Sequence, residues 1–210
     1  MKVWSNINGQ LHGVQVLIIL SDSANMKNSD TMKSFKERFF EQGSFIARWN
    51  DKADSYAENE DKLAATFDEF VTRFIVYNIL YNLCAEKLAY GKRKSDKEKA
   101  IQAVFEIMQH KSTYLISAMA SDIEKLYNII SENGFIIDID NPANDKAMLK
   151  GMNSSTTDEK IKSVLNCLYK LRCNLIHGDK EYMEEQQPLL ATANNCLKIL
   201  NEEICMVLGE

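Results

Sequence analysis

The chain has 210 residues, 45% of them hydrophobic, and a formal net charge of -5, enough apolar material to bury the core of one large domain. Its pI near 5.4 excludes a surface built to follow long nucleic-acid tracks, which needs many Lys and Arg contacts, and leaves room only for a local basic site. The odd set Cys84, Cys167, Cys173, Cys196 and Cys205, all within helical patterns, excludes a small secreted disulfide scaffold and points to a reducing cytoplasm.

The most membrane-like run, 14–20, is too short to span a bilayer and has no basic leader or cleavage site beside it, so a soluble, unprocessed chain is expected. The surrounding "LHGVQVLIIL" reads as a strand or as the start of a buried helix, and its periodicity does not decide between them. Beyond it the apolar residues recur every three or four positions with only two prolines in the whole chain. The fold class is therefore all-α: a helical bundle over 56–210, with residues 1–55 as an N-terminal extension packed on it.

In chain order, a first helix is expected over 30–49, with Phe35, Phe39 and Ile46 turned inward. The stripe Phe67, Phe70, Val71, Phe74, Asn78, Tyr81, Ala85 and Leu88 predicts a central helix over 58–88. Ser95 and Glu98 have capping-box spacing and open a helix that buries Ile101, Val104, Phe105 and Met108. Leu115, Met119, Ile123, Leu126 and Ile130 predict another over 112–133, stopped at Gly134. "FIIDI" at 135–139 reads as one short strand, and the polar "DNPANDKAMLKGMNSS" at 140–155 as a surface loop. Thr156 and Glu159 repeat the capping-box spacing before a helix whose stripe is Ile161, Val164, Leu165, Leu168, Leu171, Arg172 and Leu175, ending near Gly178. The last helix starts near Pro188 and buries Leu190, Ala193, Leu197, Leu200, Ile204 and Leu208.

Two polar residues stand on these apolar stripes, Arg172 and Asn78. A guanidinium is costly to bury alone, so Arg172 either pairs with a buried carboxylate, carries its head to the surface, or shares a polar cleft with Asn78. His177 lies five residues beyond Arg172, about 140° away around a continuous helix, so it reaches the same cleft if the helix loosens before Gly178, or a second subunit brings another copy of the pair nearby.

Taken together, "RCNLIHG" at 172–178 resembles the R-x4-6-H signature of the HEPN family, in which the Arg and His close a helix of an all-α bundle. "IVYNILYN" at 75–82 is similar to an aromatic-Asn-x-Leu-Tyr pattern in the first core helix of some members. The resemblance spans roughly residues 58–208 and rests on these two motifs. It implies a metal-independent endoribonuclease that leaves 2′,3′-cyclic phosphate and 5′-hydroxyl ends, a context in bacterial defence or stress response, and a homodimer with the motifs near its axis. This chain departs from the pattern in placing Cys173, not Asn, Asp or His, directly after the arginine. Asp179 stands two positions after His177 where one toxin subgroup carries a tyrosine that its partner modifies, so that regulation is not expected.

The chemistry suits the residues. Histidine, with its ordinary pKa near 6.5, moves protons for attack by the 2′-hydroxyl, and arginine clamps the phosphorane with a charge it does not lose. Arg172 and His177 are the expected catalytic pair, Asn78 and Asn174 supports for them or for the RNA, and Lys170 and Lys180 guides for the backbone, although such lysines are more often solvated surface. No metal or other cofactor is expected: Cys173 and His177 have ligand spacing without a second pair to complete a zinc site. RNA, a second copy and a regulatory protein are the expected partners. The competing expectation is a HEPN-like helical module without catalysis that binds RNA or protein, which Cys173 and the acidic balance favour.

Overall fold

A computed structural model describes residues 34–90, 94–133, 137, 141, 143–176 and 184–210. The readings for 1–33, for most of 135–139, and for His177, Gly178 and Lys180 lie outside these residues. Within them the chain is helical, with no strand.

The first helix, α1 (Phe35–Ser55), begins five residues later than expected and runs six further. Ser34 caps it: its hydroxyl accepts from the Glu37 amide while the Glu37 carboxylate accepts from the Ser34 amide, a capping box that fixes the start. Two tethers lay α1 antiparallel on α2 (Lys62–Lys87): Arg38 pairs with Glu86 near one end and Asp54 with Arg73 near the other. Ile46 and Ala53 are buried between them. Residues 34–55 therefore belong to the same compact unit as the rest of the bundle, 34–210, and the expected boundary at 55/56 falls inside it.

The central column is α2, which contributes Phe70, Phe74, Val76, Tyr77, Leu80, Tyr81 and Cys84 to the core. It ends in a Schellman turn, Tyr90 N–H donating to Ala85 O at 2.8 Å and Ala89 N–H to Glu86 O at 2.9 Å. The long C-terminal helix α9 (Gln187–Gly209) runs parallel to α2. Asn194 Nδ2 donates to Thr66 O at 3.1 Å and, one heptad on, Asn201 Nδ2 donates to Arg73 O at 3.0 Å. Buried amides that find backbone carbonyls in this way fix the axial register of two otherwise oily helices.

Between α2 and α9 in sequence, the capping box predicted at Ser95 and Glu98 forms in full and opens α3 (Asp96–Glu98). It leads through a π-helical turn at Lys99–Ala103 into α4 (Val104–Met108). The helix expected over 112–133 breaks at Met119 into α5 (Ser112–Ala118) and α6 (Ala120–Asn133), while Leu115, Met119, Ile123, Leu126 and Ile130 all stay buried as predicted. The surface loop expected over 140–155 is instead mostly a helix, α7 (Ala143–Met152). Asn141 starts it by accepting from the Ala143 and Asn144 amides, and Met148 and Met152, one turn apart, bury against α8 (Thr157–Ile176). Asn141 thus marks a helix start rather than a loop. Gly151 lets α7 approach α8 closely, since a Cβ there would collide with Ser163 Oγ. The stripe predicted for α8 is buried from Ile161 through Leu171.

Candidate functional site

The α2 stripe that carries Phe74, Asn78, Tyr81 and Asn82 faces α8 and the π turn, and one polar cluster lies there. Its order follows from the donors and acceptors available. Lys99 Nζ donates to Asn82 Oδ1 at 3.2 Å, Asn82 Nδ2 to Asn78 Oδ1 at 3.1 Å, Asn78 Nδ2 to Tyr81 Oη at 2.6 Å, and Tyr81 Oη to Asp96 Oδ1 at 2.8 Å. Every dipole in this relay points from an ammonium toward a carboxylate, so each bond polarises the next. The π turn adds a contact, Tyr77 Oη donating to Ala100 O.

Arg172 reaches this cluster from α8. Its guanidinium carbon lies 5.9 Å from the Phe74 ring centre, a cation–π contact, and Nη1 lies 4.0 Å from Cys173 Sγ. Its Nε is buried and has no hydrogen-bond partner, and among the described residues no carboxylate pairs with it. Arg172 and Asp96 act in opposite senses on the neighbouring hydroxyls. Burial raises the Tyr81 hydroxyl far above its ordinary value and Asp96 raises it further, against the opposing pull of Arg172. Tyr169 is pushed up to about 12 by burial first and then by Cys173 and Asp96, again against Arg172. Both phenols are therefore neutral donors at ordinary pH.

Of the expected site residues, Asn78 bonds to Tyr81, and Arg172 stacks on Phe74, one turn before Asn78 on α2. Asn78 is committed within the protein, between Asn82 and Tyr81. Asn174 points elsewhere: its Nδ2 donates to Ile137 O at 2.9 Å and pins the 137 segment to α8. Lys170 lies on α8 one turn from Asn174, whereas His177 and Lys180 are beyond the described residues. Sequence reasoning did not single out Tyr81, Asn82, Asp96 or Lys99 as hydrogen-bonding groups. The spacing Asn78–Tyr81–Asn82 was a readable signal, three polar atoms at i, i+3 and i+4 on one helix face.

The buried cysteines act as small hydrophobes, and Cys205 is only partly buried. Cys84 and Cys167 are buried, which pushes each thiol up to about 12, and Cys205 up to about 11. A separate groove of about 380 Å³ lies away from the cluster, lined by Ile116, Ile123, Tyr127, Met152 and Lys160 among others, and contains none of the predicted site residues. No described helix is long and apolar enough to cross a membrane. No protein-family model matches the chain, and no curated protein or solved structure does so either.

Proposed function

We propose that the chain is a metal-independent endoribonuclease of the HEPN type, in which Arg172 holds the scissile phosphate and His177 transfers a proton. One observation carries this reading. The fold satisfies one interior arginine, Arg73, with two carboxylates, Glu69 and Asp54, each at 2.7 Å, and leaves Arg172 with an aromatic face, a thiol and an unpartnered buried Nε. A guanidinium that no described carboxylate neutralises keeps its fork free for a phosphate oxygen. The neutral Tyr81 hydroxyl, already tied to Asp96, does not compete for it.

In this reading the 2′-hydroxyl attacks the adjacent phosphorus, the 5′-oxygen leaves with a proton, and Arg172 stabilises the charge that develops on the phosphorane. The products carry 2′,3′-cyclic phosphate and 5′-hydroxyl ends. A homodimer with two copies of the 172–177 segment across one cleft, in a cytoplasmic defence or stress role, belongs to the same proposal. The test is incubation of the purified chain with mixed RNAs, with and without chelator, followed by chemical mapping of the new ends.

One observation favours the second reading, a helical RNA- or protein-binding module without catalysis. Asn174, the nearest polar substitute for the residue that Cys173 replaces, spends its amide on Ile137 O. RNA binding without new ends, unchanged in His177→Ala, would select that reading.

A further inference from the structure

Gly43 stands inside α1, where a glycine weakens a helix, and no close approach within the described chain requires it. A Cβ added there meets no atom within 4 Å, whereas one at Gly151 strikes Ser163. The space over Gly43 is a groove of about 450 Å³, lined by Phe39, Phe40, Glu41, Gly43 and Ser44. Phe40 flanks it at 83% exposure, the most open large hydrophobic side chain among the described residues. These positions belong to one stripe. Lys36, Phe40, Gly43, Ser44, Ala47 and Asp51 fall within about 100° of the helix circumference, and all are exposed except the half-buried Gly43. The stripe is self-complementary about the midpoint between Gly43 and Ser44. The bulky Phe40 lies as far before that midpoint as the small Ala47 lies after it, and the cation Lys36 as far before it as the anion Asp51 after it. Neither charge has an ion-pair partner among the described residues.

We infer that this face of α1 docks a second copy of the chain, antiparallel, about a two-fold axis at the Gly43–Ser44 midpoint. That axis seats each Phe40 beside the other copy's Ala47, lets the two backbones close at Gly43, and sets Lys36 opposite Asp51 at both ends. The contact is isologous, each residue meeting its complement twice. It stands apart from the ribonuclease reading and from the 172–177 segment, because α1 gives Ile46 and Ala53 to the core and leaves this stripe outside it. Two helices meeting over ~24 Å cover less than the ~1,200 Å² that stable complexes bury. The pairing is therefore transient and belongs to high local concentration.

The experiment is sedimentation velocity on the full chain from micromolar to millimolar concentration, for wild type, Phe40→Ser, Lys36→Glu, Asp51→Lys and an equimolar mixture of the last two. The wild-type mean mass should rise at the upper end of that range. Phe40→Ser should weaken this association about 30-fold or more, as removal of a central aromatic anchor does. Lys36→Glu and Asp51→Lys each oppose like charges at both ends of the pair and should each weaken it about fivefold. In the mixture every facing pair is again of opposite sign, so association should return to the wild-type level. All these positions are exposed, so thermal unfolding should be unchanged, and at micromolar concentration all samples should share the wild-type mass. A wild-type mass that does not rise, a Phe40→Ser chain that associates like wild type, or a mixture no tighter than its components would each overturn the inference. Capture of a labelled oligoribonucleotide by a chain that does not self-associate, abolished by Phe40→Ser, would give the face to RNA and overturn it too. None of these outcomes bears on the ribonuclease reading, which is decided by the chemistry of cut RNA ends.

Discussion

At the scale of single residues, the two interior arginines show what burial demands. Arg73 is 4% exposed and is held by Glu69, one turn back on α2, and by Asp54, which Lys198 also contacts at 3.2 Å. Burial pushes the Asp54 carboxyl up, but the bonds from Arg73 and Lys198 outweigh it and leave it below its ordinary value. Removing the arginine strands these carboxylates and opens a hole. Arg73→Ala is therefore expected to cost about 2–3 kcal/mol in urea unfolding, less than the ~3–5 of a fully buried pair because Asp54 is half in water. A loss under ~0.5 kcal/mol, the size expected of a surface pair, would show that the anchor is decorative. Periodicity drew attention to Arg172 because it stands on its helix's apolar stripe. It passed over Arg73, which sits beside the stripe of α2 and whose partner Asp54 is nineteen residues away. Pairing across that distance is a tertiary fact and leaves no local pattern.

At the scale of helices, what was legible was what local chemistry decides. The Ser95–Glu98 box, the Met119-centred stripe and the proline at the start of α9 all follow from groups within a few residues of each other. The helix α7 was missed because its polar residues outnumber its buried ones. Only Met148 and Met152 reveal the inward face, and α8 decides the matter by packing on it. The end of α2 yields a prediction of its own. Ala89 sits at φ 54, in the left-handed region, at the position of the Schellman turn where glycine carries no Cβ penalty. Ala89→Gly is expected to stabilise the fold by about 1 kcal/mol, since a left-handed alanine costs roughly 1–2 kcal/mol. The check is a chemical-denaturation midpoint that rises with unchanged slope. A midpoint that falls would mean that Ala89 does not hold this conformation in solution.

At the scale of the whole molecule, the all-α class was readable. Two polar residues on inward stripes of different helices must share polar surroundings or stay unsatisfied. The relay that holds Asn78 was not readable, because Asp96 and Lys99 lie on a short segment whose π turn brings them to α2, and no periodic pattern encodes that placement. The proposed assembly is tested by sedimentation at micromolar concentration. A species of twice the 24.0 kDa chain mass is expected, and a stable monomer would remove the two-fold cleft.

The most direct measurement is the chemistry of the RNA ends left by the purified chain in excess EDTA, for wild type, Arg172→Ala and His177→Ala. The expected result is 2′,3′-cyclic phosphate and 5′-hydroxyl ends from wild type at an undiminished rate. Loss of about 100-fold or more is expected in each variant, the scale of one removed charge stabiliser or one removed proton-transfer group. Cleavage that disappears in EDTA and returns with magnesium or zinc, or that survives in Arg172→Ala, would contradict the account.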